Sequence, residues 1–138
     1  MIYKAYRYVY YCIYSWNLKQ WGKSDIPEFN AMVGIAMLTC VNLLSVPIVI
    51  EAMTGYEIFA FPKLCKSILV LGALSFLSFH YFVLYHNGKY KKIIKEFGSE
   101  SKVQHKRNTF WVGLYIFGSV GVLLGALFVV YLRGSGAF

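Results

Sequence analysis

The stretch Asn30–Ile50, "NAMVGIAMLTCVNLLSVPIVI", is 21 residues without a charge. As an α-helix it extends about 31 Å, close to the ~30 Å thickness of a bilayer's hydrocarbon core. Two further runs follow, "SILVLGALSFLSFHYFVLY" from Ser67 and "FWVGLYIFGSVGVLLGALFVVYL" from Phe110. The chain has 138 residues, 58% of them hydrophobic and 14% charged. A soluble domain of this size, normally about 25% charged, would leave large apolar patches in water. The expected fold is therefore an all-α membrane protein in a single domain, with transmembrane helices over 27–52, 66–87 and 110–132. An N-terminal interfacial amphipathic helix is expected over 1–22, a basic amphipathic cytoplasmic loop over 88–109, and a short tail over 133–138.

Local residues support the start of the first span. Ser24 or Asp25 is suited to cap a helix, and Pro27 fits the first helical position, where its missing N–H costs nothing. Gly22 separates this helix from the segment before it. After Ile50, "EAMTGYEIFAFPK" reads as a loop with aromatic anchors. Eleven of the 14 Lys and Arg residues fall in the N-terminal segment or between spans two and three. The positive-inside rule then places the N-terminus in the cytoplasm and the C-terminus outside, in an inner (cytoplasmic) membrane.

The opening "YKAYRYVYYCIYSW" (3–16) carries six tyrosines and a tryptophan. As a helix it aligns Ile2, Ala5, Val9, Cys12 and Trp16 along one stripe, with Lys4 and Lys19 opposite. That is the pattern of a helix lying in the headgroup plane, with Tyr3, Tyr6, Tyr10, Trp16 and Trp21 as interfacial anchors. "KYKKIIKEF" repeats the idea. Tyr90, Ile93, Ile94 and Phe97 share a face, while Lys91, Lys92 and Lys95 point toward an anionic inner leaflet. Interleaved basic and aromatic residues also suit single-stranded nucleic acid, but no nucleic-acid motif accompanies them, so none is expected as a partner.

Inside the spans the polar inventory is small. Asn42 lies midway along the first, before Pro47, at the depth of Gly72 to Ser75 and of Gly121. Gly118, Gly121 and Gly125 fall within about 60° of one another on a helical wheel and form a smooth strip for close helix packing. The expectation is a tight three-helix core with Asn42 hydrogen-bonded across it. His80 is the ionisable residue well inside a span and hence a functional candidate. No histidine matches its depth on another span, so neither haem nor metal is expected. Cys12, Cys40 and Cys65 lack metal-type spacing and read as small packing residues.

No phosphate loop, nucleophile elbow or zinc-protease motif is present, and no enzymatic activity or cofactor is expected. The runs "NLKQWGKSDIPEFNAMVG", "VNLLS" and "YKKIIKEFGSES" resemble small three-span bacterial inner-membrane proteins that have no assigned activity. The resemblance implies a bacterial inner-membrane setting and carries no site residues. The function expected is non-enzymatic, through contacts with another membrane protein or with copies of itself. It would serve as an accessory subunit or an immunity-type partner. The alternative is a self-assembling pore or membrane-disrupting effector, with Asn42 and Pro47 facing neighbouring copies.

Overall fold

The computed structural model describes residues 2–56 and 66–136. Most of the loop after Ile50, with Cys65, lies outside the described residues, as does the end of the tail. Among the described residues the fold is helical with no strand. Five helices follow one another: α1 (Ile2–Trp21), α2 (Pro27–Thr54), α3 (Lys66–His80), α4 (Lys89–Gly98) and α5 (Lys102–Gly134). Two of them, α2 and α5, are long and apolar enough to cross a membrane.

Gly22 breaks the chain at φ 75°, and Lys23–Asp25 form a short 3-10 turn. The cap of α2 differs from expectation. Ile26 occupies it at φ 48° with no side-chain hydrogen bond, so neither Ser24 nor Asp25 caps the helix. Asp25 instead accepts the Asn30 amide at both its carbonyl (2.7 Å) and its carboxylate (3.1 Å). Pro27 does begin the helix, which runs unbroken through Pro47 to Gly55. Gly55, at φ 77°, returns its N–H to the Glu51 carbonyl, a left-handed stop that glycine adopts without steric cost.

Helix α2 is the element against which α1, α3 and α5 pack. Asn42 meets Tyr115 near its middle, and Gly55 at its end lies beside the Arg133 side chain. Both contacts advance in the same chain direction, so α2 and α5 run parallel. The interface is made by small side chains: Ser45 on α2 and Ser119 and Ala126 on α5 are buried. The glycine strip is turned elsewhere. A Cβ added at Gly118, Gly121 or Gly125 would meet nothing within 4 Å. At 100° per residue Gly121 and Gly125 lie about 120–160° around α5 from Ser119, away from the α2 face, while Gly118 borders a hollow that it shares with Asn42 and Ser45. Gly72 and Ser75 are likewise exposed. The expected three-helix core around the glycines is thus not formed among the described residues.

Helix α3 returns toward the start of α2. It widens into a π-helical segment, Tyr81–Tyr85, and then a 3-10 turn, His86–Gly88. Asn87 (φ 58°) and Gly88 (φ 66°) are both left-handed, which ends the helix and redirects the chain. Lys89 donates to the Phe82 carbonyl (2.8 Å), satisfying one acceptor of the terminated segment. So α4 is a separate helix, and not an extension of α3. Ser101 caps α5 by accepting the Gln104 N–H (3.3 Å), which adds polar turns before the apolar run at Phe110.

The principal core lies at this end of the molecule. Tyr10, Ala31, Met32, Ile35, Leu84, Ile93 and Phe97 form one buried cluster drawn from α1, α2, α4 and the π-helical segment. The inward face of α1 is Tyr6, Tyr10, Ile13 and Asn17, at spacings of four, three and four. Tyr10 is fully buried, and its hydroxyl donates to the Glu28 carbonyl (2.9 Å). Of the stripe expected to face the membrane, Ala5 and Trp16 (54%) are exposed, while Cys12 is buried and Val9 packs against the core. Tyr3, Trp16 and Trp21 remain outward as expected of interfacial anchors, but Tyr6 and Tyr10 serve the core.

On α4, Ile93 and Phe97 are buried, while Lys91, Lys92 and Lys95 are exposed. Phe97 packs edge-on against Tyr8, with ring centroids 5.0 Å apart, and beside Tyr11 at 5.8 Å. Arg7 and Glu96 form a salt bridge across the same helices. The apolar face of α4 therefore rests on protein. Phe97→Ala should cost about 3–5 kcal/mol in reversible unfolding from mild detergent. Lys92→Ala should change stability by less than about 0.5 kcal/mol. Equal, small effects would mean that α4 is not docked on α1.

Candidate functional site

The most connected polar group is one that the sequence did not single out. Glu100, at the turn between α4 and α5, keeps only 11% of its side chain exposed. Its Oε2 accepts the Tyr8 hydroxyl and its Oε1 accepts the Asn108 amide, each at 2.6 Å. His105 Nδ1 lies 3.6 Å from the carboxylate and 3.4 Å from the Tyr8 oxygen, with its ring edge against Tyr11. The cluster ties α1 to the first turns of α5. Cys12, whose sulfur lies 3.8 Å from the Thr109 hydroxyl, extends the same seam.

Burial raises the tyrosine pKa values here. Loss of solvent lifts those of Tyr6, Tyr8 and Tyr10 well above the usual phenol range. The Glu100 hydrogen bond adds to this at Tyr8, and the Glu28 charge at Tyr10. Burial also pushes the Cys12 thiol up. The Tyr6 hydroxyl is buried with no hydrogen-bond partner.

Beside the cluster, α1, α2 and α5 enclose a largely apolar cleft of about 560 Å³. Val9, Ile35, Leu38, Trp111 and Val112 form its walls, and Tyr8 and Asn108 stand at its polar end. At its other end is Tyr115, whose hydroxyl receives the Asn42 amide (2.6 Å). The same amide donates to the Leu38 carbonyl (3.0 Å). Asn42 thus does bond across to another helix, through Tyr115, a residue with no conspicuous place in the sequence pattern. Pro47 is half-buried within α2 and belongs to no polar cluster.

His80 stands apart from this cleft. It is 1% exposed, packed among the rings of Phe76 (4.5 Å), Phe79 (5.6 Å) and Tyr6 (6.1 Å). Its Nδ1 lies 2.9 Å from the Phe76 carbonyl, an acceptor only, so this nitrogen carries a hydrogen. Among the described residues no three His, Cys, Asp or Glu side chains converge as a metal site.

Compared with protein-family models, curated proteins and solved structures, the chain matches none. The site is therefore read from its own chemistry. The raised tyrosines set a pH limit. A folded-state phenol pKa above the unfolded value near 10 leaves stability unaffected below pH 10. Stability then falls as the unfolded state ionises first. Unfolding midpoints should be flat from pH 7 to about pH 8, decline gently as the unfolded-state Cys12 thiol ionises, and drop more steeply above about pH 10. Tyr10→Phe should reduce that alkaline drop, and an unchanged profile would remove Tyr10 as a contributor.

Proposed function

We propose that the chain is a three-span protein of a bacterial cytoplasmic membrane that works through lateral contacts. Its partner is another membrane protein or further copies of the chain, as for an accessory subunit or an immunity-type partner. The membrane placement is supported by how little of α5 the protein covers. Only 11% of its most apolar 18-residue window is buried. Phe117 (81%), Leu124 and Phe128 (60% each) point outward. In water such a surface would be an aggregation site, whereas lipid solvates it.

Three crossings are supported by the parallel arrangement of α2 and α5. If both span the bilayer in one direction, the chain between them must cross back. The segment from Lys66 to Tyr85 is placed to do so, since at 1.5 Å per residue it reaches about 30 Å. It ends with Leu84 in the same cluster as Ala31, at the beginning of α2. The basic residues of α1, α4 and early α5 then share one face of the membrane, which the positive-inside rule assigns to the cytoplasm.

The observation that carries the contact reading is the outward glycine strip of α5. Glycines weaken a helix unless close approach makes use of them. Among the described residues, nothing lies within 4 Å of a Cβ added at Gly118, Gly121 or Gly125. A helix from outside is the occupant that such a strip admits. The pore alternative is less favoured, because both amide hydrogens of Asn42 are already engaged by Leu38 and Tyr115.

The experiment is extraction in mild detergent, followed by measurement of the complex's mass and composition. Gly121→Leu should leave helical content and monomer stability unchanged but remove the associated chains. A variant that keeps its full complex would end this reading, and co-purification with a different protein would name the partner.

A further inference from the structure

Three hollows follow one another along α5. The first, about 520 Å³, is bordered by Lys4, Ala5, Tyr8, Glu100, Gln104 and Asn108. The second is the apolar cleft, which shares Ala5, Tyr8 and Asn108 with the first. The third, about 270 Å³, adjoins the cleft at Tyr115 and continues past Ser119 to Val122. Gln104, Asn108, Val112, Tyr115, Ser119 and Val122 recur at helical spacing, so the hollows form one track on one face. From Gln104 to Val122 the track covers about 27 Å at 1.5 Å per residue.

Its chemistry is graded. The first hollow has nearly equal polar and apolar surface, and the cleft below it is overwhelmingly apolar. At the polar end, Glu100 has neutral donors on both oxygens, and among the described residues the basic side chain within 4 Å of it is the imidazole of His105, at 3.6 Å. The other carboxylate on that hollow, Glu96, is matched by Arg7. The Lys4 side chain borders the same hollow and is exposed. A carboxylate and a lysine that border one hollow, at the head of an apolar cleft, are complementary to a zwitterion with a hydrocarbon tail.

We propose that this track seats one phospholipid with a primary-amine headgroup. Its ammonium faces Glu100, its phosphate faces Lys4, and an acyl chain occupies the cleft lined by Val9, Leu38 and Val112. The inference goes beyond the contact reading but rests on its membrane placement. In that placement the polar end lies at the headgroup level and the cleft runs inward, so a lipid enters without reorienting. Headgroup selectivity comes from a charge-assisted hydrogen bond, which distinguishes a primary ammonium from a headgroup that has no N–H or no positive charge.

The test is native mass spectrometry of the purified full chain, exchanged in detergent micelles with phosphatidylethanolamine, phosphatidylcholine or phosphatidylglycerol. One phosphatidylethanolamine should remain bound per chain, with about tenfold preference over either other lipid, equivalent to about 1.4 kcal/mol. Ala5→Trp, at an exposed position bordering both upper hollows, should abolish that adduct while the circular dichroism stays helical. Equal retention of all three lipids, preference for phosphatidylglycerol, or an adduct indifferent to Ala5→Trp would overturn the proposal. The headgroup comparison uses the unaltered chain and so stands even if the variant fails to fold. Failure of the membrane placement is read separately, by release of the chain from membranes at alkaline pH. Failure of the contact reading is seen with Gly121→Leu, and Gly121 borders none of the three hollows.

Discussion

The arrangement depends on α2 and α5 lying side by side in the same direction. Two parallel helices joined by sequence cannot be neighbours unless the chain between them travels back the length of the first. Residues 66–85 make that return, which brings Leu84 into one buried cluster with Tyr10 and Ala31. Only then can the reversal at Asn87 and Gly88 set α4 against α1 and start α5 at Ser101. The small side chains Ser45, Ser119 and Ala126 let the parallel pair approach. Their contact fixes the depth at which Asn42 finds Tyr115.

That constraint also explains why the densest packing lies at one end. Away from the first turns, α2 and α5 meet largely as a pair, and their remaining surface is apolar and outward. Near the first turns, four elements converge and aromatic rings fill the space between them. The contacts there are specific as well as apolar. Tyr10 bonds the Glu28 carbonyl, Tyr8 bonds Glu100, and Arg7 pairs with Glu96. Each joins α1 to a different neighbour, so α1 acts as a clasp across the start of α2, the end of α4 and the start of α5.

What could be read in the sequence was whatever one segment specifies alone. Charge-free runs located α2 and α5, Gly22 and Pro27 marked the start of α2, and the spacing of Ile93 and Phe97 gave the buried face of α4. The burial of α1 was not legible, because tyrosine is amphipathic. Six tyrosines around one helix give no sharp apolar stripe, and either Val9–Trp16 or Tyr6–Ile13 could face inward. The choice was made by α2, where Gly34 admits Ile13 to 3.2 Å of where a Cβ would stand. The glycine strip was legible as a surface suited to packing, but not as facing inward or outward. That depends on which side of α5 meets Ser45, a fact held on another helix. Glu100 was hidden for the same reason. Its partner Tyr8 is 92 residues away, and as one of two acids in a basic loop Glu100 reads as a solvated charge.

The aromatic N-terminus can now be understood through its hydroxyls. An apolar helix of leucines would pack on α2 and α4 equally well but would have nothing to offer Glu100 or the Glu28 carbonyl. A polar helix would satisfy those acceptors but could not cover Ile35, Leu84 and Ile93. Tyrosine does both, placing a ring in the core and a donor at its edge. This is the requirement of a helix at the boundary between an apolar interior and a charged surface. Lys4 and Lys19 on its outward side and Glu100 at its seam are both compatible with that position. The same residues that clasp the fold, Tyr8 and Asn108, also form the mouth of the cleft.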